Sequence, residues 1–123
     1  MKKQDIENIL PLTPIQEGIL FHAIQNPEND LYYEQYNCRL EGKLNVEEFK
    51  NAWQSVIDRH SVLRTQFLWE NKDKPLQIVW KKAELNFHYH DFTHYSAEDQ
   101  QIQMDSLVKQ DERIGFDLKV RRF

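Results

Sequence analysis

Apolar residues recur at near-helical spacing from Ile15 through Ile19 and Leu20 to Ile24, directly after Thr13-Pro14. Thr13 is placed to cap a helix, Pro14 suits the first helical position because its missing N–H has no partner there, and Gln16 can complete a capping box. Asn26-Pro27 ends this predicted helix, since the residue before a proline avoids the helical region. A second helix is predicted after Asn45. Its apolar stripe is Val46, Phe49, Trp53, Val56, Ile57 and His60, with Glu48 in the capping-box position and acid in the first turn. A third opens at Ser96-Ala97-Glu98-Asp99. Its stripe of Ile102, Leu107, Val108 and Ile114 is thin, so it is expected on the outer surface.

Strand patterns fill the intervals. Tyr32 to Leu40 alternates, with Tyr32, Tyr36, Cys38 and Leu40 on one face, and Glu41-Gly42-Lys43 follows as a turn. Leu63 to Trp69 is rich in strand formers, Asn71 to Pro75 reads as a hairpin turn, and Leu76 to Trp80 returns as the partner. Leu85 to Phe92 alternates again, with Leu85, Phe87 and Tyr89 opposite Asn86, His88 and His90. Residues 1–11 read as a polar leader. The order predicts a two-layer α/β sandwich, with helices packed on one face of a mixed sheet.

Composition narrows the function classes. The 123 residues suffice for one domain, and 16 Lys+Arg against 20 Asp+Glu form no basic block. Neither nucleic acid nor a membrane surface is an expected partner. No apolar run reaches spanning length, and Met1-Lys2-Lys3 leads into Gln4-Asp5 rather than an apolar signal core. With Cys38 alone, no internal disulfide can form, so a cytoplasmic location is expected. Three scattered glycines build no phosphate-binding loop.

Each candidate site has a plainer reading. His88 and His90 could share a metal with His94, but no cysteine lies nearby, and a solvated strand face followed by a loop fits better. Cys38 without a neighbouring His reads as a small packed residue rather than a nucleophile. Tyr32, Tyr33 and Tyr36 read as a sheet face, since only Arg39 is interleaved with them. His60 as a general base would need a partner group and a cleft, whereas a histidine at a helix end beside the last carbonyls fits the pattern. Arg59 and Arg64 flank a helix-to-strand junction and suit bidentate pairing with a buried carboxylate, with solvent exposure the alternative for Arg59 especially.

Arg59-His60-Ser61-Val62-Leu63-Arg64-Thr65-Gln66-Phe67 has the pattern RHxxLRTxF, and it resembles the second core motif of the condensation domains of nonribosomal peptide synthetases. Leu12 to His22 resembles the family's first motif, in the form LTPxQEGxLFH. Tyr33-Glu34-Gln35 matches an aromatic-x-Gln that follows it, and Asn45 to Arg59 the helix before the second motif. The resemblance covers nearly the whole chain. It implies part of the N-terminal lobe of a chloramphenicol-acetyltransferase-like fold, with residues 1–11 as leader and candidate docking segment and 12–123 as a partial α/β lobe. The implied reaction is amide formation between a carrier-bound acyl donor and an aminoacyl acceptor. No cofactor would be bound directly; phosphopantetheine belongs to the partner carrier domains.

The family's catalytic signature, HHxxxDG, is absent: the chain has no adjacent pair of histidines. The expectation is therefore a catalytically incomplete part of the domain, with no catalytic residue of its own. The signature would follow the segment resembling Phe116-Asp117-Leu118, and the tail Lys119 to Phe123 lacks the usual proline-containing continuation. Arg59, His60 and Arg64 are implied to organise the site, with the carboxylate partner of the arginines missing. A buried Arg64 would then need water or another acid. Met1 stands close before the first motif, which implies an upstream synthetase subunit or its carrier acting in trans. Met1 to Leu10 and the first helix, with Thr13, Gln16 and Glu17, are the candidate docking elements, and a recognition module is the alternative function. A self-contained α/β domain echoing the motifs is the third. The first two imply an apolar sheet face left for the missing remainder of the domain, and self-association through it.

Overall fold

The computed structural model describes residues 3–27 and 32–117. Three antiparallel strands, β1 (Ile6–Pro11), β2 (Thr65–Leu68) and β3 (Leu76–Trp80), form a sheet in the order β1-β3-β2. Three helices accompany it: α1 (Pro14–Gln25), α2 (Val46–Arg59) and α3 (Ala97–Ile114). The class is α/β as expected, but among the described residues the sheet is purely antiparallel rather than mixed.

Local sequence accounts for the helices. Thr13 Oγ1 accepts from the Gln16 N–H while the Gln16 side chain accepts from the Thr13 N–H, closing the expected capping box. Asn45 Oδ1 accepts from the Glu48 N–H, and Ser96 Oγ from the Asp99 N–H. Gly115 stops α3 at φ 57°, a conformation a side chain disfavours. α3 buries none of its residues, in keeping with its thin stripe.

The core gathers on the central strand. Ile78, Val79 and Trp80 are buried in succession, and because neighbouring strand residues point to opposite faces, both faces of β3 are covered there. Leu12, Leu20, Ile57 and Ala83 complete the buried apolar set. Ile57, at 2% exposure, contributes about 1.5–3 kcal/mol by burial. The rest of the α2 stripe is covered less: Phe49 is half-buried against Phe87, while Trp53 and Val56 are exposed.

The strands follow the sequence alternation only in part. The segment taken as a leader supplies β1, with Pro11 at the end of an edge strand, where a missing N–H does no harm. The Lys81 N–H carries the pairing on to the Asp5 carbonyl. The strand predicted over Leu63–Trp69 begins only at Thr65, after a 3-10 turn over Ser61–Arg64. Asn71 turns the β2–β3 hairpin in the left-handed region, at φ 55°.

Two predicted strands have no counterpart among the described residues. Tyr32 to Leu40 has no ladder partner among the described residues, and Tyr36, Cys38 and Leu40 are exposed. Cys38 is therefore not the packed residue expected, nor are Tyr32, Tyr33 and Tyr36 a sheet face. Over Leu85 to Phe92 a helix side chain takes the strand's place: Gln54 Nε2 donates to the Ala83 carbonyl and Gln54 Oε1 accepts from the Leu85 N–H. The tail readings on Leu118 to Phe123 and the first two residues lie outside the described residues.

Exposed large apolar residues occur on α1 as well as on β1, where Ile9 and Leu10 face solvent. Ile15, Ile19, Phe21 and Ile24 of α1 are all exposed, and only Leu20 is buried. Among the described residues, no helix is long and apolar enough to cross a membrane. Because Gln54 satisfies two backbone groups at once, Gln54→Ala is expected to cost about 1–3 kcal/mol. Urea denaturation gives the cost, and hydrogen exchange should show the Leu85 amide losing protection.

Candidate functional site

The junction between α2 and β2 holds the residues singled out by the second motif. α2 ends where the His60 N–H donates to the Val56 carbonyl, and the 3-10 turn begins with the Leu63 N–H on the His60 carbonyl. The Thr65 hydroxyl closes the turn on the Ser61 carbonyl at 3.0 Å. This compact corner sends Arg64 inward, leaving it 5% exposed, and Arg59 and His60 outward.

Arg64 is the centre of the junction. Its Nε donates to the Ile57 carbonyl at 3.1 Å, and its Nη1 donates to the Trp80 carbonyl and to Glu7 Oε2, the latter at 2.6 Å. One guanidinium thus joins the last turn of α2, the end of β3 and β1. Of the two alternatives open to a buried Arg64, water or another acid, the structure shows the acid, and it is Glu7. Glu7 was missed because the segment before the first helix read as leader. The available signal was Ile6 and Ile9 around Glu7, with a proline ending the run.

Arg59 is exposed and makes no hydrogen bond or ion pair among the described residues. His60 acts through its backbone: its N–H caps α2, but its ring is exposed and bonds no carbonyl there. The structure therefore brings Arg64 into the core and leaves its two motif companions facing solvent.

The first motif lies elsewhere in the fold. Thr13 and Gln16 form the α1 cap, and Gln16 also exchanges side-chain amide bonds with Gln77 of β3, at 3.3 and 3.1 Å. Gln77 Nε2 reaches the Pro11 carbonyl as well, so the cap, the end of β1 and the central strand are tied together. Glu17 is exposed in the first turn of α1, where a negative charge suits the helix dipole. Tyr33 and Gln35, the aromatic-x-Gln pair, both donate to Asp111 Oδ2 near the end of α3, at 2.8 and 3.2 Å. A cleft of about 550 Å³ opens beside them, with Ile19, His22, Trp69 and Phe116 in its lining, and none of Thr13, Gln16, Glu17, Arg59, His60 or Arg64 borders it.

The histidines do not converge. His88, His90 and His94 are exposed, and among the described residues no three of His, Cys, Asp and Glu stand close enough to hold a metal. His90 stacks on Phe92 and His94 lies against Tyr95. Asp91 turns to Thr93: hydrogen bonds from the Thr93 hydroxyl and then its N–H hold the carboxyl below its ordinary pKa, with His94 adding a smaller pull.

Replacing Arg64 by methionine removes three bonds and leaves two carbonyls without their donor. Urea denaturation should report a loss of about 2–4 kcal/mol, against about 0.5 kcal/mol or less for His60→Ala. The Asp91 turn contributes stability above the unfolded-state pKa and loses it as pH falls through the depressed folded value. Thr93→Val should raise the Asp91 midpoint in an NMR titration.

Known proteins are similar to this chain over nearly its whole length. A family model described as Condensation domain matches residues 6–121. One linear gramicidin synthase subunit of Brevibacillus parabrevis is 42% identical over 113 residues, covering 92% of this chain. Another subunit of the same synthase is 35% identical over 115 residues, 94% of the chain. Surfactin synthase subunit 3 of Bacillus subtilis (strain 168) is 35% identical over 116 residues, also 94%. The chain spans 2% of each of those gramicidin synthase subunits and 9% of the surfactin subunit. The match runs through the cap of α1, the α2–β2 junction and the central hairpin, and on this ground the chain belongs to the condensation domain family of nonribosomal peptide synthetases.

Proposed function

We propose that this chain is the N-terminal part of an amide-forming condensation domain and supplies its scaffold rather than its proton-transfer chemistry. The observation that carries the reading is the family match over residues 6–121 in a sequence with no adjacent histidine pair. Residues 12–123 then form part of an α/β lobe, and the remainder of the domain brings the HHxxxDG signature. Carrier domains bearing phosphopantetheine-bound groups would present the acyl donor and the amine. This chain's residues would hold the frame against which the signature is aligned.

The two arginines of the second motif divide that task. Arg64 is committed to Glu7 and to two carbonyls, so it fixes the junction from within. Arg59, exposed at the end of α2, is the one available to a carboxylate brought by the rest of the domain. His60 is left without a catalytic assignment, because its exposed ring makes no hydrogen bond to a partner group among the described residues.

A second reading has its own support. α1 exposes Ile15, Ile19, Phe21 and Ile24, and an apolar helix exposed on several sides suits an interface. An upstream synthetase subunit acting in trans could dock there, beside Thr13, Gln16 and Glu17.

Incubating this chain with both carrier-bound substrates is expected to give no amide above background. Turnover that His60→Ala abolishes would overturn the scaffold reading. The docking reading expects saturable binding in a titration with the C-terminal segment of an upstream synthetase, weakened by Phe21→Ser. No binding by this chain, alongside strong binding by the full-length subunit, would remove it.

A further inference from the structure

β1 does not pair evenly with β3. Ile6 lies opposite Trp80 and Asn8 opposite Val79, so Glu7 is an extra residue with no counterpart on the central strand. Such a bulge interrupts the ladder locally and re-aims the side chain that it carries. Here the re-aimed carboxylate meets the Arg64 guanidinium, which a 3-10 turn has driven inward from the opposite side of the sheet order.

Arg64 is 5% exposed and carries a charge that protein surroundings do not remove. Carbonyl oxygens from Ile57 and Trp80 solvate it in part, but they bring no compensating charge. Glu7 is the only carboxylate paired with it among the described residues. The Glu7 side chain keeps 46% exposure, so it forms one wall between the buried cation and solvent. An inward arginine at the motif junction and an outward bulge on a distant strand are therefore two halves of one device.

We propose that Glu7 is a positioning residue for the second motif, acting through Arg64 to hold the corner from which Arg59 and His60 project. This rests on the reading of that motif as a site-organising segment. Without the carboxylate, the guanidinium shifts toward water and releases the Ile57 and Trp80 carbonyls. The last turn of α2 and the 3-10 turn then loosen together, and the direction in which Arg59 points is no longer fixed. The segment before the first motif is on this account a working part of the junction.

The test uses NMR on this chain with no partner or substrate, following proton exchange at Arg64 Nε and at the backbone amides. Glu7→Gln keeps the shape and removes the charge, Glu7→Ala removes both, and Glu84→Gln is the charge-matched control on an exposed residue. In the wild type the Arg64 Nε proton should exchange slowly. Both Glu7 variants should accelerate it about tenfold or more, together with the amides of Leu63, Arg64 and Thr65, while α3 and the control stay within about twofold of wild type. Unchanged Arg64 exchange in Glu7→Ala overturns the proposal, and so does an equal loss of protection throughout α3, which would make Glu7 a general stabiliser. Because no turnover is measured, failure here is separable from failure of the condensation reading, which the amide-forming assay decides.

Discussion

A guanidinium placed out of water must find acceptors, and the neighbourhood of Arg64 is arranged around that need. The cost of burying a charge is offset only when hydrogen bonds and an opposite charge replace the lost hydration. Ile57, Trp80 and Glu7 supply these from a helix end, a strand end and a bulge. Sequence-distant elements therefore meet at one side chain. The order of the sheet follows the same logic, since β3 must run between β1 and β2 for its last carbonyl and the β1 carboxylate to face the same cation.

Away from that charge, side-chain amides do much of the joining. Gln54 stands in for a strand at Ala83 and Leu85, and Gln16 and Gln77 bind helix cap to sheet. An amide carries a donor and an acceptor, as a peptide unit does, so it can complete a backbone pattern as a strand would. This explains how a three-stranded sheet keeps its neighbours ordered with a small buried core. It also locates the two stretches that carried the resemblance: one at a helix cap tied to β3, the other at a corner tied to both β1 and β3.

Legibility in the sequence followed the range of the interactions. All three helices and their caps could be read because Thr13, Asn45 and Ser96 act on atoms three residues away. The central hairpin was legible for the same reason. The bulge at Glu7, the Gln54 bridge and the link from Tyr33 to Asp111 could not be read, because each joins positions distant in the chain through a polar atom that leaves no periodic signature. Tyr32 to Leu40 differs in the opposite sense: its alternation is real, but a strand requires a partner as well as a pattern, and none meets it among the described residues. Of the site, the inward turn of Arg64 was foreseen from its place between Leu63 and a strand, whereas its acid was not.

Besides the β1–β3 ladder, side-chain links of two different physical kinds fasten the N-terminal region to the sheet. Glu7 and Arg64 attract as charges, with Glu7 partly open to solvent, so dissolved ions weaken that link. Gln16 and Gln77 carry no net charge, and ionic strength leaves their bonds almost untouched. Rising salt therefore weakens the hold of the Glu7 bulge on Arg64 while the β1–β3 ladder and the helix cap stay moored, and the two ends of one short segment come to differ in their response to ionic strength without any change of sequence or partner.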